Sequence, residues 1–228
     1  MVVRLAETLG LPLRERNDLL LSAGFAPAYP QTTLTDCQLA PVMDALRRIL
    51  VGHQPYPAIV VDRFGDLVAA NDAFGLLTEG VAAELVGPPL NAYRLALHPR
   101  GLAPRIVNFA EWAHHVLDGL RAQASRSPHP RLAGLLAELD AYVPDTPLPP
   151  DHLGFAVPLR LRPIPGSAPG TDELRLMTTV STFATAVDVT VAELRLEAFL
   201  PADQATADLL TAAAVAAAAA ATRAAAAV

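Results

Sequence analysis

The stretch that organises the rest of this chain is NAYRLALHPRGLAPRIVN, residues 91–108. It opens with an apolar run at helical spacing, which should end at His98 because a residue that precedes proline is pushed out of the α region. Gly101 and Pro104 then predict an irregular crossing instead of a continued helix. We interpret the stretch as one wall of a pocket, and an ordinary helix–loop–helix joint is the alternative interpretation.

A long helix is predicted directly after this stretch, over residues 108–124. Asn108 stands at its expected start and Glu111 follows three residues later, as in a capping box, although that motif prefers Ser or Thr at the cap. The helix carries Trp112, the single tryptophan of the chain, on an apolar face. We expect that face to be buried against a core.

The residues before the stretch predict a β-hairpin at 57–71. Ala58 to Asp62 form an apolar, β-branched run, Arg63-Phe64-Gly65-Asp66 supply the turn, and Leu67 to Ala70 form the return strand. Asn71 is expected to cap the short helix that follows. This order of strand, turn, strand and capped helix is similar to the opening of a PAS domain, although the pattern is common.

Three further strands are predicted near the C-terminal end by the alternation of apolar and polar side chains, at 154–162, 173–184 and 191–200. The segments 143–153 and 163–170 are rich in proline or glycine and are predicted loops. With the hairpin, these strands predict an α+β fold: a PAS-like antiparallel sheet of about five strands with helices on one face. An apolar cavity can lie between such a sheet and its helices.

Composition and charge restrict the class of protein. The chain has 228 residues, 52% of them hydrophobic, and a formal net charge of −6, which disfavours a nucleic-acid-binding surface over the whole protein. Cys37 is the single cysteine, so no disulfide framework is expected and a reducing compartment fits. Neither a signal peptide nor a membrane span is evident. We expect a soluble cytoplasmic protein that does not bind membranes.

Patterns typical of catalysis and metal binding are sparse. Glu111, His114 and His115 lie on one predicted helix, where Glu-x-x-His can place a carboxylate and an imidazole on the same side, as in di-iron bundles. Such a site needs further carboxylates, and a solvated helix face is the interpretation that we favour. The sequence contains no nucleophile elbow, phosphate loop or dinucleotide-binding glycine pattern. We predict neither a cofactor nor an enzymatic activity.

The residues with ligand-binding character lie on elements that should face one another, and three of them are aromatic. An apolar cavity with an arginine near its mouth suits an apolar ligand with a carboxylate head, because a guanidinium binds a carboxylate through two hydrogen bonds. The alternative is that the aromatic rings are plain core and the arginines plain surface. The predicted ligand-binding residues are Tyr93, Arg94, Arg105, Asn108, Trp112 and Phe183.

Several of these segments resemble a known family. The ligand-binding domain of MmyB-like transcription regulators is similar to residues 91–108 with the Glu111-Trp112 pair that follows, and to Thr182-Phe183, Asp188-Val189-Thr190, Glu193-Leu194-Arg195 and Pro201-Ala202-Asp203. The resemblance covers about residues 37–212. It implies a PAS-like fold that binds small apolar molecules such as fatty acids, and it assigns no role to any single residue.

The first 27 residues resemble the last helices of the Xre/Cro-type helix-turn-helix domain that precedes this domain in the family. The recognition helix makes the base contacts. It lies upstream of those helices, and we expect the chain to begin too late to contain it. The expected parts are a helix-turn-helix remnant at 1–27, a linker at 28–37, a PAS-like ligand-binding domain at 38–212 and an Ala-rich low-complexity tail at 213–228.

The resemblance implies the ligand-sensing portion of a bacterial Xre-type transcription regulator, which binds a small apolar, fatty-acid-like molecule and forms a homodimer. DNA is expected as a partner only if an upstream helix-turn-helix exists. A stand-alone ligand-binding protein without DNA binding is the alternative. A metal-dependent enzyme that uses Glu111 and His115 is a third, less favoured hypothesis.

Overall fold

The computed structural model describes residues 1–143, 157–162 and 173–226. Its strands are β1 (Ala58–Val61), β2 (Leu67–Ala70), β3 (Leu159–Leu161), β4 (Leu174–Thr182) and β5 (Arg195–Pro201). They form one antiparallel sheet in the order β2-β1-β5-β4-β3. The predicted α+β fold, with a PAS-like antiparallel sheet of about five strands, is thereby confirmed. The predicted loops at 144–153 and 163–170 and residues 154–156 of a predicted strand lie outside the described residues.

Helices precede, connect and follow these strands. The helix predicted at 108–124 is present as the longest one between β2 and β3. Short 3₁₀ turns lie at Cys37–Leu39, Asp72–Phe74 and Ala103–Arg105. The α-helices are α1 (Val2–Thr8), α2 (Leu13–Ser22), α3 (Ala40–Gly52), α4 (Gly75–Thr78), α5 (Ala83–Val86), α6 (Ala92–Leu97), α7 (Phe109–Arg126), α8 (Pro130–Asp140), α9 (Val189–Ala192) and α10 (Gln204–Ala226).

Helices cover both faces of the sheet, and the alternation of side chains along each strand decides which residues reach which face. Ile59, Leu176 and Phe199 point to the face that packs against α4, α6, α7 and α8, where the larger core forms. Ala58 points to the opposite face and shares a smaller core with Leu50 of α3. The helices expected on one face are therefore present, and α3 adds a cover on the other.

Residues 90–107, which we call the strap, cross the helix side of the sheet from one edge strand to the other. At the first edge, Leu67 of β2 donates its backbone N–H to the carbonyl of Leu90 (2.8 Å). At the second edge, Val107 donates its N–H to the carbonyl of Arg160 on β3 (2.8 Å). Helix α6 and a 3₁₀ turn lie between these attachments, so the predicted irregular crossing is confirmed.

The expectation that Asn71 caps a helix is wrong. Its side chain makes no capping hydrogen bond. It accepts a hydrogen bond from the backbone N–H of Ala58 (3.0 Å) and donates to the carbonyls of Leu50 (3.1 Å) and Tyr56 (2.8 Å). These backbone groups lie at the start of β1 and near the end of α3. The buried amide satisfies them, since buried backbone groups require partners.

Asn108 also stands before its helix without a side-chain capping bond, so the expected capping box is wrong. Its amide carbonyl accepts from the backbone N–H of Arg160 (3.2 Å), and its amide nitrogen donates to the carbonyl of Pro158 (2.9 Å) and to the carboxylate of Glu111 (3.2 Å). The edge strand β3 supplies backbone groups that compete with the helix end. Asn108 therefore ties α7 to the sheet.

The last strand begins later than the sequence predicts. The segment Val189–Ala192 forms the short helix α9, because the side chain of Asp188 caps it by accepting a hydrogen bond from the N–H of Thr190 (2.8 Å). The strand β5 then starts at Arg195 instead of near residue 191.

The final helix, α10, is attached to the sheet near its start. Thr206 and Leu210 are buried, and the hydroxyl of Thr206 accepts a hydrogen bond from the backbone N–H of Arg175 (3.1 Å). The alanine-rich remainder of the helix has no bulky apolar face. In the part of the chain that the structure describes, no helix is long and apolar enough to cross a membrane.

Candidate ligand-binding site

A cavity of about 70 Å³ lies between the sheet and helices α6 and α7. Ala92 and Ala96, which are one helical turn apart on α6, form part of its wall. Their short side chains leave space that larger residues would fill. Side chains such as Ile59 and Phe199 make most of the wall apolar. Four residues of the wall also carry polar groups.

Two of these polar groups are buried without a hydrogen-bond partner among the described residues. They are the indole N–H of Trp112, a residue that is 6% exposed, and the hydroxyl of Thr178 on β4. Leaving a buried donor or acceptor unpaired costs about 1–3 kcal/mol. The cavity therefore offers an unused donor and an unused hydroxyl to a molecule that enters it.

The third polar group is the carboxyl group of Glu197 on the central strand β5. The strand register places it between Ile59 of β1 and Val180 of β4. Burial raises the pKa of Glu197, and the guanidinium of Arg195 opposes that rise. Its side chain forms no hydrogen bond and no ion pair within the described parts of the chain. Glu197 therefore favours its neutral form more than an exposed glutamate does.

Tyr93 of α6 is held in the cavity wall from two sides. Its hydroxyl accepts a hydrogen bond from the guanidinium of Arg195 (2.7 Å). Gly65 in the hairpin turn lies against the ring, and a side chain at this position would overlap the ring atoms. Gly65 also has a φ of 81°, which glycine adopts far more readily than other residues. The ring is thus fixed between the hairpin turn and β5.

A larger groove of about 570 Å³ opens at the surface between α2 and the domain. Arg14 of α2 donates two hydrogen bonds to the carboxylate of Glu193 (2.6 and 2.8 Å), and Arg63 donates a third (3.4 Å). Hydrogen bonding to Glu193 raises the pKa of Arg14. Arg195 donates to the side chain of Gln123 (2.9 Å). The charged groups of the groove therefore largely satisfy one another.

The segment predicted as a linker also contacts the domain. The carbonyl of Pro30 accepts a hydrogen bond from the backbone N–H of Val189 (2.8 Å), and the N–H of Thr32 donates to the carboxylate of Asp188 (3.0 Å). Both partners lie at the start of α9. The N-terminal helices are therefore attached next to β5, which carries part of the cavity wall.

Of the six predicted ligand-binding residues, Tyr93 and Trp112 line the cavity. Arg94 lies on the same helix as Tyr93 but forms a two-bond ion pair with Glu138 of α8 (2.6 and 2.7 Å). This hydrogen bonding raises the pKa of Arg94 and lowers that of Glu138. The guanidinium therefore joins two helices and does not lie in the cavity wall.

Arg105, Asn108 and Phe183 also lie outside the cavity wall. Arg105 donates to two backbone carbonyls that precede α5 (3.1 and 3.2 Å), and Asn108 binds the backbone of β3. Phe183 does not face the other two aromatic residues, because it is an odd number of positions from Thr178 and packs on the α3 side of the sheet. A role for these three residues in ligand binding stays a prediction.

Sequence reasoning missed Thr178 and Glu197. Along residues 191–200, aliphatic residues alternate with Arg195 and Glu197. This pattern predicts aliphatic side chains in the core and charged side chains in solvent. In the structure both faces of β5 are covered, so the charged residues point into the side that packs against helices. Phe199 continues the same face as Glu197 and is 8% exposed. The aromatic side chain of Phe199 on the predicted polar face is the sequence feature that could have indicated the burial of this face.

The alternative metal site on α7 can be examined through its neighbours. A ring nitrogen of His114 lies 2.7 Å from the carbonyl of Ala110, and the ring of His115 packs against that of Trp112 with 5.8 Å between centroids. Within residues 1–143, 157–162 and 173–226, no group of three or more His, Cys, Asp or Glu side chains is placed to hold a metal ion.

Comparison with known families identifies the domain that holds the cavity. A family model described as the MmyB-like transcription regulator ligand binding domain matches residues 42–213. That range contains the whole described sheet and every residue of the cavity wall. A search of curated proteins found no match to the chain. Because the matched range is well over half of the sequence, the chain belongs to the family of MmyB-like transcription regulator ligand-binding domains.

Proposed function

We propose that this chain is the ligand-sensing portion of a bacterial Xre-type transcription regulator, and that the cavity between the sheet and helices α6 and α7 receives a small apolar molecule. The observation that carries the proposal is the position of this cavity within a regulator ligand-binding domain. Its wall is mostly apolar and contains the rings of Tyr93 and Trp112, as a site for an apolar molecule requires.

The cavity must widen to accept a ligand of ordinary size. Its volume of about 70 Å³ is well below the roughly 300–1,000 Å³ of typical ligand sites. A fatty-acid-like chain therefore requires movement of the middle of the strap, which carries α6 between two attachments at the sheet edges. A ligand produces that movement only to the extent that it binds the widened state more tightly than the closed one.

A series of hydrogen bonds supports transmission from the cavity to the N-terminal helices. Tyr93 in the wall is bound by Arg195, Arg195 donates to Gln123, and Gln123 donates to the backbone carbonyl of Arg63. The side chain of Arg63 shares its carboxylate partner with Arg14 of α2. A ligand that displaces Tyr93 would therefore alter the contacts of α2. DNA binding by the regulator further requires an upstream helix-turn-helix.

Thermal unfolding with and without apolar compounds tests this proposal. We would compare decanoate, decan-1-ol and octanoate, and expect at least one of them to stabilise the protein. At about a hundredfold excess over its Kd, a ligand that binds only the folded state adds about 2.7 kcal/mol. The variant Ala96→Leu should fill the cavity and abolish the effect. Ala122→Leu, on an exposed position of α7, is the matched control and should retain it.

Two further measurements concern the assembly. Light scattering of the whole chain would show whether it forms the proposed homodimer. A binding assay with promoter DNA tests regulation directly when it uses a protein in which an Xre-type helix-turn-helix precedes this domain. DNA binding that a stabilising compound alters supports the regulator. DNA binding that no stabilising compound alters would reduce the proposal to a small-molecule-binding role.

A further inference from the structure

We infer that the ligand carries an uncharged hydrogen-bonding group, such as a hydroxyl, ketone or amide, and that this group lies between Trp112, Thr178 and Glu197. The inference rests on the proposed function, because it takes the cavity as the ligand site. It specifies the chemistry of the ligand, which the volume of the cavity alone does not.

The three side chains converge on one small volume from two strands and a helix. Thr178 pairs with Phe199 across β4 and β5, and Glu197 lies two residues before Phe199 on the same face. Thr178 and Glu197 are therefore diagonal neighbours, about 7–8 Å apart. Trp112 of α7 lines the same cavity of about 70 Å³. One polar group of a few atoms can lie within reach of all three.

The absence of hydrogen-bond partners for Trp112 and Thr178 among the described residues indicates that a partner comes from outside the chain. Roughly 90% or more of buried polar groups in proteins have a hydrogen-bond partner. The indole N–H of Trp112 and the hydroxyl of Thr178 have none within the described residues, and both line one cavity. A ligand with a polar group pairs both groups, whereas a purely apolar ligand leaves them unpaired.

The charges around the cavity disfavour an anionic head group. Glu197 lies in the wall, so a bound carboxylate would face a like charge unless one of the two were protonated. Burial raises the pKa of Glu197, which favours a carboxyl group that both donates and accepts. The guanidinium groups of Arg94 and Arg105 are bound to Glu138 and to backbone carbonyls, outside the cavity wall. Arg195 is held by Tyr93 and Gln123, and among the described residues no arginine lines the cavity.

The single tryptophan makes the inference directly measurable. We would titrate the whole ¹⁵N-labelled chain with hexan-2-one, hexan-1-ol and hexanoate, which have the same chain length and differ in the polar group. The indole N–H resonance of Trp112 is the readout. We expect the ketone and the alcohol to shift it downfield by accepting its hydrogen bond, and to bind about tenfold more tightly than hexanoate.

Two variants separate the polar contacts from the shape of the cavity. Thr178→Val keeps the shape and removes the hydroxyl, and we expect it to weaken alcohol binding by about fivefold or more. Thr179→Val changes an exposed residue on the other face of the same strand and should leave the affinities unchanged. Glu197→Gln removes the charge and keeps a hydrogen-bonding group. It should retain alcohol binding and improve hexanoate binding.

The outcomes distinguish this inference from the function on which it rests. Tighter binding of hexanoate than of the two neutral compounds, or unchanged affinities in Thr178→Val, overturns the inference and leaves the cavity as a ligand site. An indole resonance that none of the three compounds moves also overturns it, even if decanoate stabilises the protein and Ala96→Leu abolishes that stabilisation. If no compound of either series stabilises the protein, the proposed function fails as well.

Discussion

The cavity behind the sheet and the groove beside α2 differ in size and in the state of their polar groups. The groove is the larger, at about 570 Å³ against about 70 Å³. Its charged side chains, such as Arg14 and Glu193, pair with each other and are open to water. In the cavity, Trp112 and Thr178 hold buried groups without a partner in the described chain. The groove contains one such group, the Nε of Arg195, so the cavity is distinguished by two unpaired groups on a mostly apolar wall and not by its volume.

The largest expected effect comes from removing the glycine that shapes the cavity wall. Gly65→Ala adds a methyl group against the ring of Tyr93 at a positive φ and should destabilise the protein by about 3 kcal/mol. Gly80→Ala is the matched control, because Gly80 has a φ of 76° but no atom near its added Cβ. It should cost about 1 kcal/mol. Denaturant unfolding measures both, and equal losses would contradict the role of the ring contact.

A smaller loss is expected when the groove loses its shared carboxylate. Glu193→Ala leaves Arg14 and Arg63, which are 24% and 12% exposed, without their ion-pair partner and should cost about 2 kcal/mol. Glu7→Ala removes a carboxylate that is 52% exposed and 3.8 Å from Arg16, and should cost no more than about 0.5 kcal/mol. Urea unfolding of both variants would refute the pairing argument if the two losses were alike.

In the cavity, the loss of a polar group should raise the stability of the protein instead of lowering it. Thr178→Val removes a buried hydroxyl that has no partner and should stabilise the ligand-free protein by about 1 kcal/mol. Thr179→Val, on the exposed side of β4, should change the stability little. Destabilisation by Thr178→Val, measured by thermal unfolding, would show that water or another group already satisfies the hydroxyl. The contrast between cavity and groove would then disappear.

The smallest expected effect is a pH dependence that arises in the cavity. Burial raises the pKa of Glu197 above its ordinary value of 4.5, so the folded state binds this proton more tightly than the unfolded state. Its contribution to stability is complete at lower pH and is lost as the pH rises above 4.5 through the raised pKa. Arg195 opposes the shift, and the neighbouring phenol of Tyr93 stays neutral because burial raises its pKa too.

The difference in Tm between the native protein and Glu197→Gln isolates this contribution. Groups with lowered pKa values, such as Glu173 and Asp203, act in the opposite direction and are the same in both proteins. From about pH 4 to about pH 8, the native protein should lose stability relative to the variant. A constant difference over that range would show that Glu197 is ionised in the folded state as readily as in the unfolded one.

The strands and two of the four aromatic residues in the cavity wall could be predicted because each follows from a local pattern. Alternation along residues 173–184 predicts β4, and the proline after His98 predicts the end of α6. Trp112 lies on the apolar face of a helix, so its burial follows from the period of that helix. These features depend on neighbouring residues in the sequence.

The remaining features depend on partners that are distant in sequence. Arg94 binds Glu138, which is 44 positions away in the sequence. The residues next to Arg94 therefore do not indicate that its side chain lies outside the cavity. Asn71 and Asn108 are of a residue type that is common at helix caps. Their side-chain amides bind backbone groups of β1 and β3 instead. The sequence alone does not indicate that Glu197 is buried, because the helices that cover each face of β5 are distant in sequence.

The strap also shields both edges of the sheet. An exposed edge strand can pair with the edge of another molecule, which leads to aggregation or strand exchange. The strap bonds to Leu67 at the β2 edge and to Arg160 at the β3 edge, and these two strands are only four and three residues long. Intermolecular strand addition is thereby hindered at both edges. Two copies of this protein should therefore associate through helical surfaces and not by extending one sheet into the next.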